Sequence, residues 1–198
     1  MKRRILSIDF DYFIDTDVDT RNDKFPDGMD VKPKDRLERD WKEFIHEYKE
    51  IKRIGVIDNY KTCCDFLCML QSGKVLISDT HKDIAKLFPL INPKSDLEVI
   101  NIDFHHDNYI SSINKVDCAN WVRHLMYAFP NTEFTWIRRE DSELNSLLGN
   151  FPYFHTRDFV LEGEFDYIFI CFSPEWTPPH LRAQYKNLCK NVAHLEHL

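Results

Sequence analysis

The sequence predicts an α/β protein: a three-layer αβα arrangement around a mostly parallel sheet. Two observations predict it. Short apolar runs of strand length recur along the chain, and segments with helical periodicity lie between most of them, which is the pattern of βαβ units with helices on both faces of a sheet. The first run, 4–12 (RILSIDFDY), is rich in Ile and Leu and predicts a strand. Segment 15–34 (DTDVDTRNDKFPDGMDVKPK) is polar and predicts one long loop near the mouth of a site, a candidate substrate lid. Its repeated Asp lacks the glycine and terminal glutamate of an EF-hand loop. Leu37, Trp41, Phe44, Ile45 and Tyr48 recur at helical spacing and predict a helix over 34–53. A second helix is predicted over 59–71, followed by a strand at 74–79 (KVLISD) and a helix at 82–88. The remaining expectations are strands at 98–104 (EVINIDF), 132–138 (TEFTWIR) and 166–172 (DYIFICF), with helices at 118–129, 140–148 and 178–195.

The 198 residues suit one domain, and 43% hydrophobic and 14% aromatic content supply a substantial core. Only five glycines argue against linkers or low complexity, and no internal repeat is visible. With 26 basic against 33 acidic residues the formal charge is −7, so nucleic acid is not an expected partner. No apolar run reaches membrane-spanning length. The start, MKRRILSIDFDYF, is basic then apolar, but Asp9 and Asp11 interrupt it and no small-residue cleavage site follows. Neither a secretory leader nor a membrane anchor is expected, and the expected location is the cytoplasm. The six cysteines (Cys63, Cys64, Cys68, Cys118, Cys171, Cys189) lack disulfide-framework spacing. Those at 63, 64 and 68 fall beside Phe66, Leu67 and Leu70 and are expected to be buried free thiols.

Chemistry concentrates at the carboxyl ends of three strand-like runs: Asp9 and Asp11 in ILSIDFDYF, His81 in KVLISDTH, and Asp103, His105 and Asp107 in EVINIDFHHD. On a strand, side chains at i and i+2 share a face, so each set can converge if the chain stays extended. In open parallel sheets, ligands collect beyond those strand ends. Alone, Asp-x-Asp is equally a turn or helix-cap pattern, and an isolated His81 is more often a surface or capping histidine than a ligand. Asp-Phe-His-His-Asp directly after VINI is different, because so many polar groups at a packed strand end are costly without a partner. Four carboxylates gathered there repel one another unless cations neutralise them. The oxygen-rich set with two imidazoles suits two divalent ions, Mn²⁺ first, with Mg²⁺, Fe²⁺ or Zn²⁺ as alternatives.

These motifs resemble the arginase/deacetylase (ureohydrolase) superfamily, whose binuclear manganese site uses a His, an Asp-x-His-x-Asp and an Asp-x-Asp. The matching residues are His81, then Asp103, His105 and Asp107, then Asp9 and Asp11. Glu175, in FSPEW after a predicted strand, is similar in placement to the family glutamate that holds the guanidinium. The short length and N-terminal DFD look like the peptide arginases of bacterial ribosomal-peptide biosynthesis, of the OspR type, which convert arginine side chains of a precursor peptide to ornithine. The order of motifs departs from ordinary arginases, where Asp-x-Asp comes last. The stretch DCANWVRHL matches the family's asparagine at Asn120 but has Val122 where a proton-shuttle histidine is found, leaving His106, His124 and His155 as shuttle candidates.

The resemblance implies an arginase-like αβα fold with two Mn²⁺ per chain and an arginine-containing precursor peptide as partner. Two ions about 3.5–4 Å apart lower the pKa of a shared water to about 7, as attack on a resonance-stabilised guanidinium requires. It further implies Asp107 as proton acceptor, a histidine as proton donor to the departing amine, and Glu175, Asn120 and Trp176 as substrate contacts. Aromatics expected around the rim (Tyr12, Phe13, Tyr109, Trp121, Trp176) would suit a peptide backbone, though any single one is more often core packing. SIDFDYF also resembles the N-terminal motif of haloacid-dehalogenase-like phosphatases, with Asp9 as nucleophile, Asp11 as acid/base and one Mg²⁺. That alternative leaves His81 and DFHHD without a purpose. A metal-free peptide-binding module explains the acidity but not the histidines.

Overall fold

Residue parity along the strands sorts the core into two layers, as period-two alternation demands. In the computed structural model, which describes residues 2–26, 33–109, 115–142, the backbone of 154–157, and 159–198, seven strands form one sheet. They are β1 (Arg3–Asp9), β2 (Lys74–Ser78), β3 (Leu97–Ile102), β4 (Thr132–Ile137), β5 (Phe154–Arg157), β6 (Tyr167–Cys171) and the two-residue β7 (Glu196–His197). Their order is β5-β4-β3-β1-β6-β2-β7, and every pairing between these strands is parallel; an isolated bridge outside them, Ile14 with Val56, is antiparallel. Leu6 and Ile8 of β1, Ile100 and Ile102 of β3, and Ile168 and Ile170 of β6 belong to one buried cluster. Their alternates Ile5, Val99 and Phe169 belong to the other.

Helices cover both clusters. On the first lie α2 (Lys34–Glu47) through Leu37 and Trp41, α3 (Asn59–Met69) through Cys63 and Leu67, and α5 (Arg182–Lys190) through Tyr185 and Leu188. On the second lie the 3-10 segment His81–Leu90, through Ile84 and Leu87, and α4 (Trp121–Ala128), through Trp121, Val122 and Leu125. This is the expected α/β class, with a three-layer αβα build.

Several boundaries differ from the sequence expectation. The first strand stops at Asp9, and Phe10–Phe13 turns as a 3-10 helix, because Asp9 accepts the Asp11 N–H and caps the turn. The segment expected as one loop contains a helix, α1 (Val18–Lys24), capped by Asp17 accepting from Thr20 N–H at 2.7 Å, with Arg21 and Lys24 in its last turn. The 34–53 helix ends at Glu47 and gives way to a 3-10 turn at Lys49–Arg53. The 178–195 helix is shorter, a 3-10 turn at Pro179–Leu181 followed by α5, since Pro178 and Pro179 delay its start. Of the predicted helix 140–148, residues 140–142 form a turn and the rest lies outside the described residues.

Chain order places a crevice at one point of the sheet. From β1 the chain crosses β6 to reach β2, then returns to β3 on the opposite side of β1 and continues outward to β4. Connections from β1 and β3 therefore diverge, and the carboxyl ends of these two strands open the crevice where parallel sheets bind ligands.

Candidate metal centre

On the face that carries Ile5, Val99 and Phe169, residues at the carboxyl ends of two central strands change from apolar to polar, Ser7 and Asp9 on β1, Asn101 and then Asp103 after β3, while the neighbouring β6 ends on the buried thiol Cys171. His81 enters this row from the start of its 3-10 segment. Its ring stacks on Phe169 (centroids 5.4 Å apart) and lies 4.8 Å from Trp121. Nε2 is 2.8 Å from Ser7 Oγ, which fixes the ring and turns Nδ1 to the crevice.

Nδ1 of His81 lies 3.2 Å from Asp9 Oδ2, 3.2 Å from Asp103 Oδ2 and 3.0 Å from Asp107 Oδ2. It makes a well-aligned hydrogen bond with none of the three. His105 Nδ1 lies 3.0 Å from Asp11 Oδ2 and 4.0 Å from Asp103 Oδ1. Asp103 thus presents one oxygen to the His81 group and the other to the His105 group. The six sequence-predicted ligands converge, in two sets sharing Asp103: His81, Asp103 and Asp107, with Asp9 alongside, and Asp11, Asp103 and His105.

Two of these residues do not arrive by strand alternation. Asp11 sits in the 3-10 turn after β1, and Phe104 N–H donates to its Oδ1 at 3.4 Å. Asp107 follows a backbone that leaves the extended conformation and has φ of +49°, in the left-handed region that Asp tolerates better than most residues. Its carboxylate is held from outside: Trp121 Nε1 donates to Oδ2 at 2.6 Å, and Val122 N–H donates to the Asp107 carbonyl at 3.2 Å. The start of α4 therefore positions Asp107. Asp103 is held by Asn101 Nδ2 on Oδ2 (3.2 Å), by His105 N–H on Oδ1 (2.8 Å) and by Trp136 Nε1 on its carbonyl (2.9 Å).

The electrostatics fit a cation. Burial, then the charges of Asp107 and Asp9, push the Asp103 carboxyl well above its ordinary range. Burial disfavours the His81 imidazolium, yet Asp103, Asp107 and Asp9 together raise its pKa well above the ordinary value. His105 is raised in the same sense: burial opposes, and the Asp11 charge prevails. All three shifts have one cause, an excess of buried negative charge that a cation would offset. Asp11 Oδ2 and His81 Nδ1 are both buried without a hydrogen-bond partner, and both face ligand-type atoms. A divalent ion in each set would satisfy both.

Besides Ser7, Asn101 and Ser173, which contact the ligands directly, sequence reasoning missed two further residues of this neighbourhood. Arg21 of α1 is fully buried, donates through Nη2 to the carbonyls of Asp11 (2.8 Å) and Ile14 (3.3 Å), and lies over the Phe104 ring at 3.9 Å. Its Nη1 is 3.8 Å from Asp11 Oδ2, and burial, only partly offset by Asp11, lowers its pKa to about 10. The Asp17 cap was the available signal for the helix that delivers it. Cys171 is the other. Its register opposite Asp9 exists only in the folded sheet.

The remaining candidates are placed as follows. Glu175 is buried in the turn after β6, between two residues that touch the ligand set: Ser173, whose Oγ donates to Asp9 Oδ2 at 2.5 Å, and Trp176, whose ring lies 4.6 Å from that of His105. It also lines a cleft of about 410 Å³ with Trp41, Asp79 and Arg182. The Asn120 amide is spent on its own loop, accepting from Asp117 N–H and donating to the Lys115 carbonyl. His106 is buried, stacks on Tyr109 at 4.1 Å, and accepts the Asn108 N–H at Nδ1. His124 is half-buried on α4, and among the described residues it makes no hydrogen bond, ion pair or ring contact with the six. His155 lies in β5, and its side chain is outside the described residues. Of the expected aromatic rim, Tyr12, Phe13 and Trp121 are core, leaving Tyr109 and Trp176 half-buried. Of the three helical cysteines Cys63 is buried, Cys64 half-buried and Cys68 exposed, and all six cysteines are free. No family model, curated protein or solved structure matches the chain.

Proposed function

We propose that this chain is a two-metal hydrolase of the arginase type, acting on arginine side chains within a peptide and releasing ornithine and urea. The observation that carries the metal reading is the sharing of Asp103 between two ligand sets, each with its own histidine. Asp9, His81, Asp103 and Asp107 would hold one ion, and Asp11, Asp103 and His105 the other. Bound there, a pair of Mn²⁺ ions supplies Lewis-acid activation of water near neutral pH.

The chain's own groups supply the rest. Asp107, pinned through Oδ2 by Trp121, is the candidate acceptor for the proton of the attacking water. Glu175 is a buried carboxylate flanked by Ser173 and Trp176, and a planar guanidinium is the cation that matches a carboxylate with two parallel, charge-assisted hydrogen bonds. His106, adjacent in sequence to Asp107, is the candidate for protonating the departing amine, ahead of His124, which among the described residues makes no hydrogen bond, ion pair or ring contact with the six ligands. Trp176 beside the part-exposed His105 gives the mouth an aromatic wall against which a peptide can lie.

The test is urea release from arginine-containing peptides by Mn²⁺-loaded protein, with the mass loss of one CN₂H₂ unit per converted residue. The expected substrate is peptidyl arginine, with free arginine slower at equal concentration. Comparable or faster turnover of free arginine overturns the peptide assignment, and absence of urea from both overturns the arginase assignment. Glu175→Gln is expected to keep two metals and lose about 30-fold or more in kcat/KM, the equivalent of about 2 kcal/mol for truncating one partner of a buried charge pair. Loss of metal in this variant would move Glu175 into the ligand set.

A further inference from the structure

Cys171 packs in the second apolar layer, yet its thiol also reaches the ligand set. Cys63, the other buried cysteine, lies in the apolar layer beneath α3. Cys171 lies at the carboxyl end of β6, paired in register with Asp9 on one side and Ser78 on the other, and it shares the sheet face of Phe169, on which His81 stacks. Its Sγ is 3.4 Å from Ser173 Oγ, which in turn donates to Asp9 Oδ2. The ligand atoms of Asp9, His81 and Cys171 all lie within 4.8 Å of one another, and all three residues are buried. Among the described residues no other cysteine joins a group of ligand-type side chains. His81 Nδ1, buried without a hydrogen bond and 3.2 Å from Asp9 Oδ2, faces this group, an observation independent of the sulfur.

We infer that Cys171 Sγ is a further ligand on the Asp9–His81 side of the centre, and that it biases this side toward a thiophilic divalent ion, Zn²⁺, Co²⁺ or Fe²⁺, over Mn²⁺ and Mg²⁺. The inference rests on the two-metal reading above. Its physical basis is ligand softness: carboxylates alone suit hard cations, and adding one thiolate and one imidazole shifts the preference to borderline ions. Binding exchanges the S–H proton for the cation and releases that proton to solvent. The opposite side, Asp11, Asp103 and His105, contains no sulfur, so the two positions differ in selectivity.

Titration of metal-free protein with Co²⁺, followed by absorption, tests this. Sulfur bound to Co²⁺ gives a near-ultraviolet charge-transfer band that oxygen and nitrogen ligands do not. The wild-type chain is expected to show the band, and Cys171→Ser to lose it while still binding cobalt. In Zn²⁺/Mn²⁺ competition the preference for zinc should fall on the order of 10–100-fold in Cys171→Ser. A chain with Cys64, Cys68, Cys118 and Cys189 replaced by serine keeps Cys171 and must keep the band, a check that does not depend on Cys171→Ser folding. Two bound cobalt ions without the band in the wild-type chain overturn the inference and leave the two-metal reading standing, as does a band that survives in Cys171→Ser. A wild-type chain that binds no cobalt overturns both.

Discussion

At the scale of single residues, the decisive feature is that one carboxylate is asked to do two things. Asp103 has no solvent exposure and its oxygens point to different histidines, whereas Asp11 touches only the His105 side. Asp103→Ala is therefore expected to lose both metals, and Asp11→Ala to lose one, as read by metal content after dialysis. Equal stoichiometry in the two variants would contradict the shared-ligand geometry. Asp107 and Ser173, the two non-glycine residues with positive φ among those described, both contact this centre, where backbone strain is characteristically held by surrounding structure. Arg21 is the counter-charge: Arg21→Met removes the donor to two buried carbonyls and leaves Asp11 with less compensation. A loss of about 3–5 kcal/mol in metal-free protein is expected from denaturant unfolding, the scale for breaking a buried ionic contact. A change within about 0.5 kcal/mol would show that Arg21 carries no such load.

At the scale of elements, the strands supply the row and the turns supply the convergence. Asp9 and Asp103 end strands, as the period-two pattern of ILSIDF and EVINIDF indicates. Asp11 and Asp107 were legible as ligand types but not as positions, because the 3-10 turn capped by Asp9 and the left-handed backbone at Asp107 replace the extended chain on which i, i+2 reasoning depends. The pattern Asp-x-Asp was read as either a cap or a ligand pair, and Asp9 is placed for both, Oδ1 capping the turn while Oδ2 faces His81. Helix α4 acts through its first residues, so Trp121→Phe should preserve most of the buried ring yet leave Asp107 Oδ2 without its donor. Metal affinity is expected to drop on the order of 10–100-fold with the fold retained, measured by competition with a chelating dye. Unchanged affinity would separate α4 from the centre.

At the scale of the whole molecule, the sheet order brings four carboxylates to one crevice, and on the proposed two-metal reading bound cations would offset their mutual repulsion. Free Mn²⁺ at about 100 times its dissociation constant should stabilise the protein by about 2.7 kcal/mol per site. For a domain of this size that corresponds to a rise in Tm of roughly 5–10 °C for each occupied site. Thermal scans with Mn²⁺ and with excess chelator would show it, and coincident transitions would remove the metal from the protein's energetics.

The amino-acid order by itself determined the α/β class, the segments of β1, β2, β3, β4 and β6 but not those of β5 and β7, and the chemical types gathered at the strand ends, because apolar periodicity and unpaired charge beside it are local properties of the chain. It did not contain α1, whose polar surface hides its helical period and whose cap alone marks its start. Nor did it contain the roles of Arg21, Ser173 or Cys171. Those are fixed by which strands become neighbours: Cys171 stands opposite Asp9 only because β6 inserts between β1 and β2, and Arg21 reaches Asp11 only because α1 folds back over the turn after β1. Strand order is settled by long-range burial across the whole sheet, which no window of sequence carries.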